Sequence, residues 1–102
     1  MTEVKLPSSI KVGGIDFSIE RSPEHNKELH ALNLWGECSP PLQRIRLASD
    51  TLPQIFGEVA IHEILHAIDH IYVGKELTER QIEALAQGLF QVMEQLGVRF
   101  VK

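Results

Sequence analysis

His62-Glu63-Ile64-Leu65-His66 lies inside a longer apolar run, Val59-Ala60-Ile61-His62-Glu63-Ile64-Leu65-His66-Ala67-Ile68-Asp69-His70-Ile71-Tyr72-Val73. Apolar residues recur at 61, 64, 65, 68 and 71–72, which is helical spacing. Side chains four residues apart share one face of a helix, one turn above each other. His62 and His66 can therefore offer one nitrogen each to a single Zn²⁺ ion, at about 2.0–2.1 Å. Glu63 is rotated by about 100°, given about 3.6 residues per turn. It cannot easily share the ion with both histidines, but it reaches a water held there, which is the place of a general base. A helix that is apolar nearly all round is buried. A buried imidazole without a partner costs about 1–3 kcal/mol, and one metal ion satisfies two of them.

Outward from this stretch, the chain punctuates itself. Ile10 and Val12 alternate with polar residues, Gly13-Gly14 supplies a two-residue turn, and Ile15, Phe17 and Ile19 alternate beyond it, so a hairpin is expected. Ser22-Pro23 reads as a helix start, with a short helix over 23–32 and Leu29 and Leu32 facing inward. From Asn33 the chain is loop or broken hairpin, with Gly36, Pro40 and Pro41, until Gln43 to Leu47 alternates as a strand. The prolines before that strand suit an edge position, where an extended peptide can pair. Ser49 or Asp50 is expected to cap the motif helix, with Thr51 and Gln54 as a capping box, and Gly74 to stop it. Thr78 and Gln81 form a second capping box, opening a helix over 79–96 that Gly97 ends. The tail from Val98 is left as a short docked strand or a frayed end. The order is β-β-α-β-α-α. Gly74-Lys75-Glu76-Leu77 is a short connection, so the last two helices are expected to pack antiparallel.

With 102 residues the expectation is one α+β domain, residues 1–102, with one core. The net charge of −4 gives no electrostatic footprint for nucleic acid or anionic lipid. No apolar stretch approaches the roughly 18 residues that span a bilayer, so no membrane partner is expected. Cys38 is the only cysteine, which rules out an intramolecular disulfide. The first residues, Met1 to Pro7, lack a basic region followed by an apolar run, so neither a signal peptide nor export is expected, and the cytoplasm is the expected location.

A hydrolytic zinc site takes three protein ligands and leaves one position to water. Glu76, Glu79, Glu83, Asp69, His70 and Cys38 are the candidates for the third. Glu83 is chosen because it flanks the apolar stripe of the last helix and is followed by the small Ala84. Glu79, one turn earlier on the same face, is the runner-up, since an acid in a first helical turn is already explained by the helix dipole. His70 stands about 12 Å along the axis from His62, at about 1.5 Å per residue, too far for the same ion. Asp69 is placed either as a hydrogen-bond acceptor for an imidazole or on the surface. Trp35 is expected in the core or lining a cleft, His25 and His30 in solvent.

His62-Glu63-Ile64-Leu65-His66-Ala67 followed by Glu83-Ala84 resembles the zincin metallopeptidases of the gluzincin kind. More narrowly, with Leu77 to Ala86 included, the chain is similar to the ImmA/IrrE-like and small phage-encoded minimal zincins. The likeness is strongest over 55–90. It implies an α+β fold, one Zn²⁺ on His62, His66 and Glu83, Glu63 as base, and a bacterial or phage intracellular setting. The metzincin pattern is absent, since Tyr72 stands where its third histidine belongs.

The expected activity is zinc-dependent hydrolysis of a peptide bond, with an extended peptide or protein as substrate and Glu63 moving the proton. His70 and Tyr72 are weighed as oxyanion donors. The competing reading is a zinc-containing peptide-binding or regulatory module without turnover, which a fourth protein ligand such as Cys38 would favour.

Overall fold

Gly13 and Gly14 adopt left-handed backbone, with φ 57° and 88°, and glycine tolerates that conformation at no steric cost. In the computed structural model, which describes residues 1–102, they join β2 (Ser9–Val12) to β3 (Ile15–Glu20) as the expected antiparallel hairpin, with Ile10 opposite Phe17. β3 then pairs in parallel with β5 (Arg44–Leu47), and β5 pairs antiparallel with β4 (Gly36–Ser39). The four-stranded sheet runs β2-β3-β5-β4.

This order corrects the expectation that the strand around 44–47 forms an edge. β5 is paired on both sides, and the edges are β2 and β4. Pro40 and Pro41 belong to a single 3₁₀ turn, Pro40–Leu42, that links β4 to β5, with Gln43 at φ 50° closing it. The prolines thus mark a hairpin connection. β5 alternates as read: Ile45 and Leu47 enter the core, while Arg46 is 3 % exposed and held by Glu28 and Glu37. A buried guanidinium is tolerated because two carboxylates satisfy its fork.

Two further strands lie at the ends of the chain. β1 (Thr2–Lys5) and β6 (Val98–Val101) pair in parallel as a separate small sheet, so the tail docks as a strand. The short helix expected at 23–32 is a 3₁₀ turn, Pro23–His25, followed by α1 (Asn26–Ala31). Leu29 is fully buried there, but Leu32 is 55 % exposed, because the helix has ended before it.

α2 (Pro53–Ile68) lies across the sheet. Its Phe56, Ala60 and Ala67 pack with Phe17, Ile19, Ile45 and Leu47 into one core. The residue before Pro53, Leu52, caps it without a side-chain bond. The expected caps are occupied elsewhere: Ser49 is bonded to Asn26, Asp50 to His30, and the Thr51 hydroxyl donates to the Ala48 carbonyl. The helix continues as a π turn, Asp69–Val73, until Gly74 at φ 75° stops it. α3 (Glu79–Gln95) opens with both bonds of the Thr78–Gln81 capping box. His62 and His66 of α2 meet Glu79 near the start of α3, and Gly57 meets Phe90 near its end, so the helices are antiparallel. A Cβ on Gly57 would lie 3.0 Å from the Phe90 ring, so this glycine sets how closely they approach.

The result is a small α+β fold in which no helix is long and apolar enough to cross a membrane. Phe56 is 1 % exposed and belongs to the core cluster. Phe56→Ala is expected to lower stability by about 3–5 kcal/mol. Urea unfolding followed by circular dichroism measures it.

Candidate metal centre

His62 and His66 project from α2 one turn apart, as their spacing requires, with ring centroids 5.0 Å apart. Both rings are partly exposed along one side of the helix. The Nε2 atom of His62 stands 2.6 Å from Glu79 Oε1, and Nε2 of His66 stands 3.0 Å from Glu79 Oε2. One carboxylate therefore spans both imidazoles. One ligand atom from each of the three residues falls in a group no more than 4.8 Å across.

Glu79 fills the position expected of Glu83. Glu83 lies one turn further along α3, lines the same cleft, and is not among the three grouped residues. The difference comes from the connection. Asp69 is 5 % exposed at the start of the π turn, and its Oδ1 accepts the backbone N–H of Leu77 at 3.2 Å. Its carbonyl accepts the N–H of Lys75 at 3.1 Å. These bonds fold the connection back tightly and set the axial position of α3, bringing its first turn to the histidines. Asp69 thus serves the loop, with no bond to an imidazole.

Glu63 points from α2 toward β4, an edge strand, and faces the same cleft as His62 and Glu79. It is 7 % exposed, makes no hydrogen bond or ion pair with the protein, and lines the cleft. Burial, with the Glu79 and Glu37 carboxylates nearby, pushes its carboxyl up to about 8. Gly36 at the start of β4 makes room for it. A Cβ there would lie 2.9 Å from Glu63 Cγ and 3.1 Å from Glu63 Oε2. The sequence reading allows loop or broken hairpin around Gly36, and the β4–β5 hairpin matches the second of these. The available signal was a glycine beside a strand, which often marks close approach of another group.

The cleft holds about 340 Å³ between the β4 end of the sheet and the two helices. Trp35, Leu34 and Val59 form its apolar wall, and Glu58, Glu63, Glu79 and Glu83 its acidic one. Trp35 is therefore cleft-lining, as one of its two expected placements had it. His70 and Tyr72 are not among the lining residues. His70 Nδ1 is buried without a partner, and the Tyr72 ring lies against Gly13 of the hairpin, so neither is positioned as an oxyanion donor. Cys38 sits half-buried on β4. Burial, then the charges of Glu63 and Glu37, push its thiol up to about 12. It stands outside the His62, His66 and Glu79 group. His25 and His30 are paired with Glu20 and Asp50.

No family model, curated protein or solved structure matches this chain. The function is therefore argued from the site. The donor set suits zinc: two imidazoles and one carboxylate, all on regular helices. Ligand atoms around a tetrahedral zinc ion lie roughly 3.3 Å apart, from bonds of about 2.0 Å, so a group this tight accommodates the ion with small side-chain movements.

Proposed function

We propose that the chain is a zinc-dependent peptidase of the minimal zincin kind, acting in the cytoplasm on extended peptides. The observation that carries this reading is the His62, His66 and Glu79 group, of which His62 and Glu79 line the same cleft as the mostly buried, unbonded Glu63. With the rest of its side chain buried, the Glu63 carboxyl opens only into the cleft, where a water or a substrate can meet it. The single cysteine accords with a reducing compartment.

His62, His66 and Glu79 would hold the zinc, which supplies Lewis acidity toward the scissile carbonyl and makes a water acidic near neutral pH. Glu63 takes the proton of the attacking water and delivers it to the leaving nitrogen as the C–N bond breaks. The low polarity around Glu63 favours this role, because it raises the carboxyl's proton affinity toward that of the groups it must serve. β4, unpaired on its outer side, offers backbone N–H and C=O groups to an extended peptide. Trp35 and Gly36, where β4 begins, line the cleft, so a peptide paired along that edge passes Glu63.

The test is metal content together with cleavage. The purified chain is expected to bind one zinc and to hydrolyse a mixed peptide library. Absence of tight zinc binding, or a zinc-loaded chain that cleaves nothing in the library, overturns the reading. Gly36→Ala is expected to displace Glu63 and reduce turnover by about 10- to 100-fold, the cost of misplacing a reacting group by about 1 Å. Zinc binding should not change. Kinetics beside a zinc titration would check both.

A further inference from the structure

We propose that the cleft selects a basic residue, holding a lysine or arginine side chain of the substrate between Glu58, Glu83 and the Trp35 ring. This rests on the peptidase reading and names its substrate class. Glu58 precedes His62 by one turn of α2, and Glu83 follows Glu79 by one turn of α3. Because the helices are antiparallel, both carboxylates fall on the same side of the metal-capable group, and both line the cleft.

The charge around the cleft is unbalanced. Asp16, Glu20, Glu28, Glu37, Asp50 and Glu94 each have a basic partner. Glu58 and Glu83 form no such pair, a property shared by the exposed Glu3, Glu24 and Glu76, but only these two lie at the cleft, which no lysine or arginine lines. Glu63, 7 % exposed and without a partner, faces the same space. A zinc ion carries two positive charges, which Glu79 and Glu63 offset. Glu58 and Glu83 are then left uncompensated. They have no third donor that would make them a ligating group of their own, so the cation they fit is one on a long side chain.

The rest of the cleft suits such a side chain. Leu34, Val59 and Ala86 give apolar surface for a methylene stem, which long basic side chains bury while the charged head reaches a polar tip. Trp35 is 45 % exposed and held in place: its ring meets the edge of His30 at 4.9 Å, and His30 Nε2 is within 3.0 Å of both Asp50 oxygens. A braced indole beside carboxylates attracts a cation through its ring face. The Trp35 carbonyl accepts the N–H of Ala48, which ties its backbone to the chain leaving β5.

The experiment uses fluorescent peptides that differ at one position, arginine against its neutral isostere citrulline, scanned along the sequence. Binding is measured by anisotropy to the zinc-loaded full chain carrying Glu63→Gln, so that no cleavage intervenes. At one position the arginine peptide should bind about tenfold tighter, the combined scale of two exposed ion pairs and one ring contact. Salt should weaken that preference. It should fall below about threefold when Glu58→Gln and Glu83→Gln are added. Equal binding of both peptides at every position, or a preference that survives the two added substitutions, overturns the proposal. So does a second zinc ion that those substitutions remove. If the unsubstituted chain cleaves arginine and citrulline peptides equally, the subsite fails and the peptidase reading stands. If binding shows the preference while the unsubstituted chain cleaves neither, the subsite stands and the hydrolytic reading fails.

Discussion

Glu63→Gln is expected to keep its zinc and to lose peptide hydrolysis by about 10²- to 10⁴-fold, the range assigned to a positioned general base. Glutamine matches glutamate in size, so the cavity next to Gly36 stays filled and β4 does not move. It lacks the proton affinity that burial and the Glu79 and Glu37 carboxylates give Glu63, whose carboxyl they push up to about 8. A bound divalent cation pulls that value down again, which leaves the carboxylate free to accept a proton near neutral pH. Glu63 stands outside the His62, His66 and Glu79 group, so metal content and turnover should separate. Elemental analysis for zinc alongside initial-rate kinetics would show this. Normal turnover in Glu63→Gln would remove Glu63 as the base.

The sequence exposed those parts of the fold whose causes are local. Gly13-Gly14 needs only its own backbone to make a hairpin, and the Thr78–Gln81 capping box only its own four residues. The helical spacing of His62 and His66 is likewise a property of one turn. What depended on distant partners was harder to read. β1 and β6 are four residues each and pair across the whole length of the chain, with Thr2 opposite Val98, so neither carries a signal of its partner. Pro40 and Pro41 gave β5 the look of an edge, but they belong to the turn that joins it to β4. Arg46 is buried only because Glu28 and Glu37 come from two other elements to hold it. Thr51 was a plausible cap until the Ala48 carbonyl took its hydroxyl.

The acid that meets His62 and His66 shows the same divide at the candidate site. Periodicity placed Glu79 and Glu83 on one face of α3, which is correct for both, since both line the cleft. Periodicity does not say how far α3 slides along α2. One turn is about 5.4 Å, more than the reach needed to trade one carboxylate for the other. The position is decided by the π turn and by the bonds from Lys75 and Leu77 to Asp69.

Glu79→Ala is accordingly expected to weaken zinc binding by at least about a hundredfold, more than the 10- to 100-fold typical of groups that only orient a ligand. Glu83→Ala should change it by less than about threefold, since its carboxylate stands a full turn away. Competition against a chromogenic chelator resolves the two at neutral pH. Glu79 is 66 % exposed and Glu83 lies on the surface, so neither truncation opens a cavity, and the comparison reports on the metal rather than on folding. The contrast also tests the helix register. If Glu83→Ala releases the zinc and Glu79→Ala retains it, α3 sits one turn further along α2 in the zinc-loaded protein. Asp69 would then have to give up its bonds to the connection. If both lose it, the two acids share the ion, and the uncompensated charge assigned to Glu83 disappears with the basic subsite built on it.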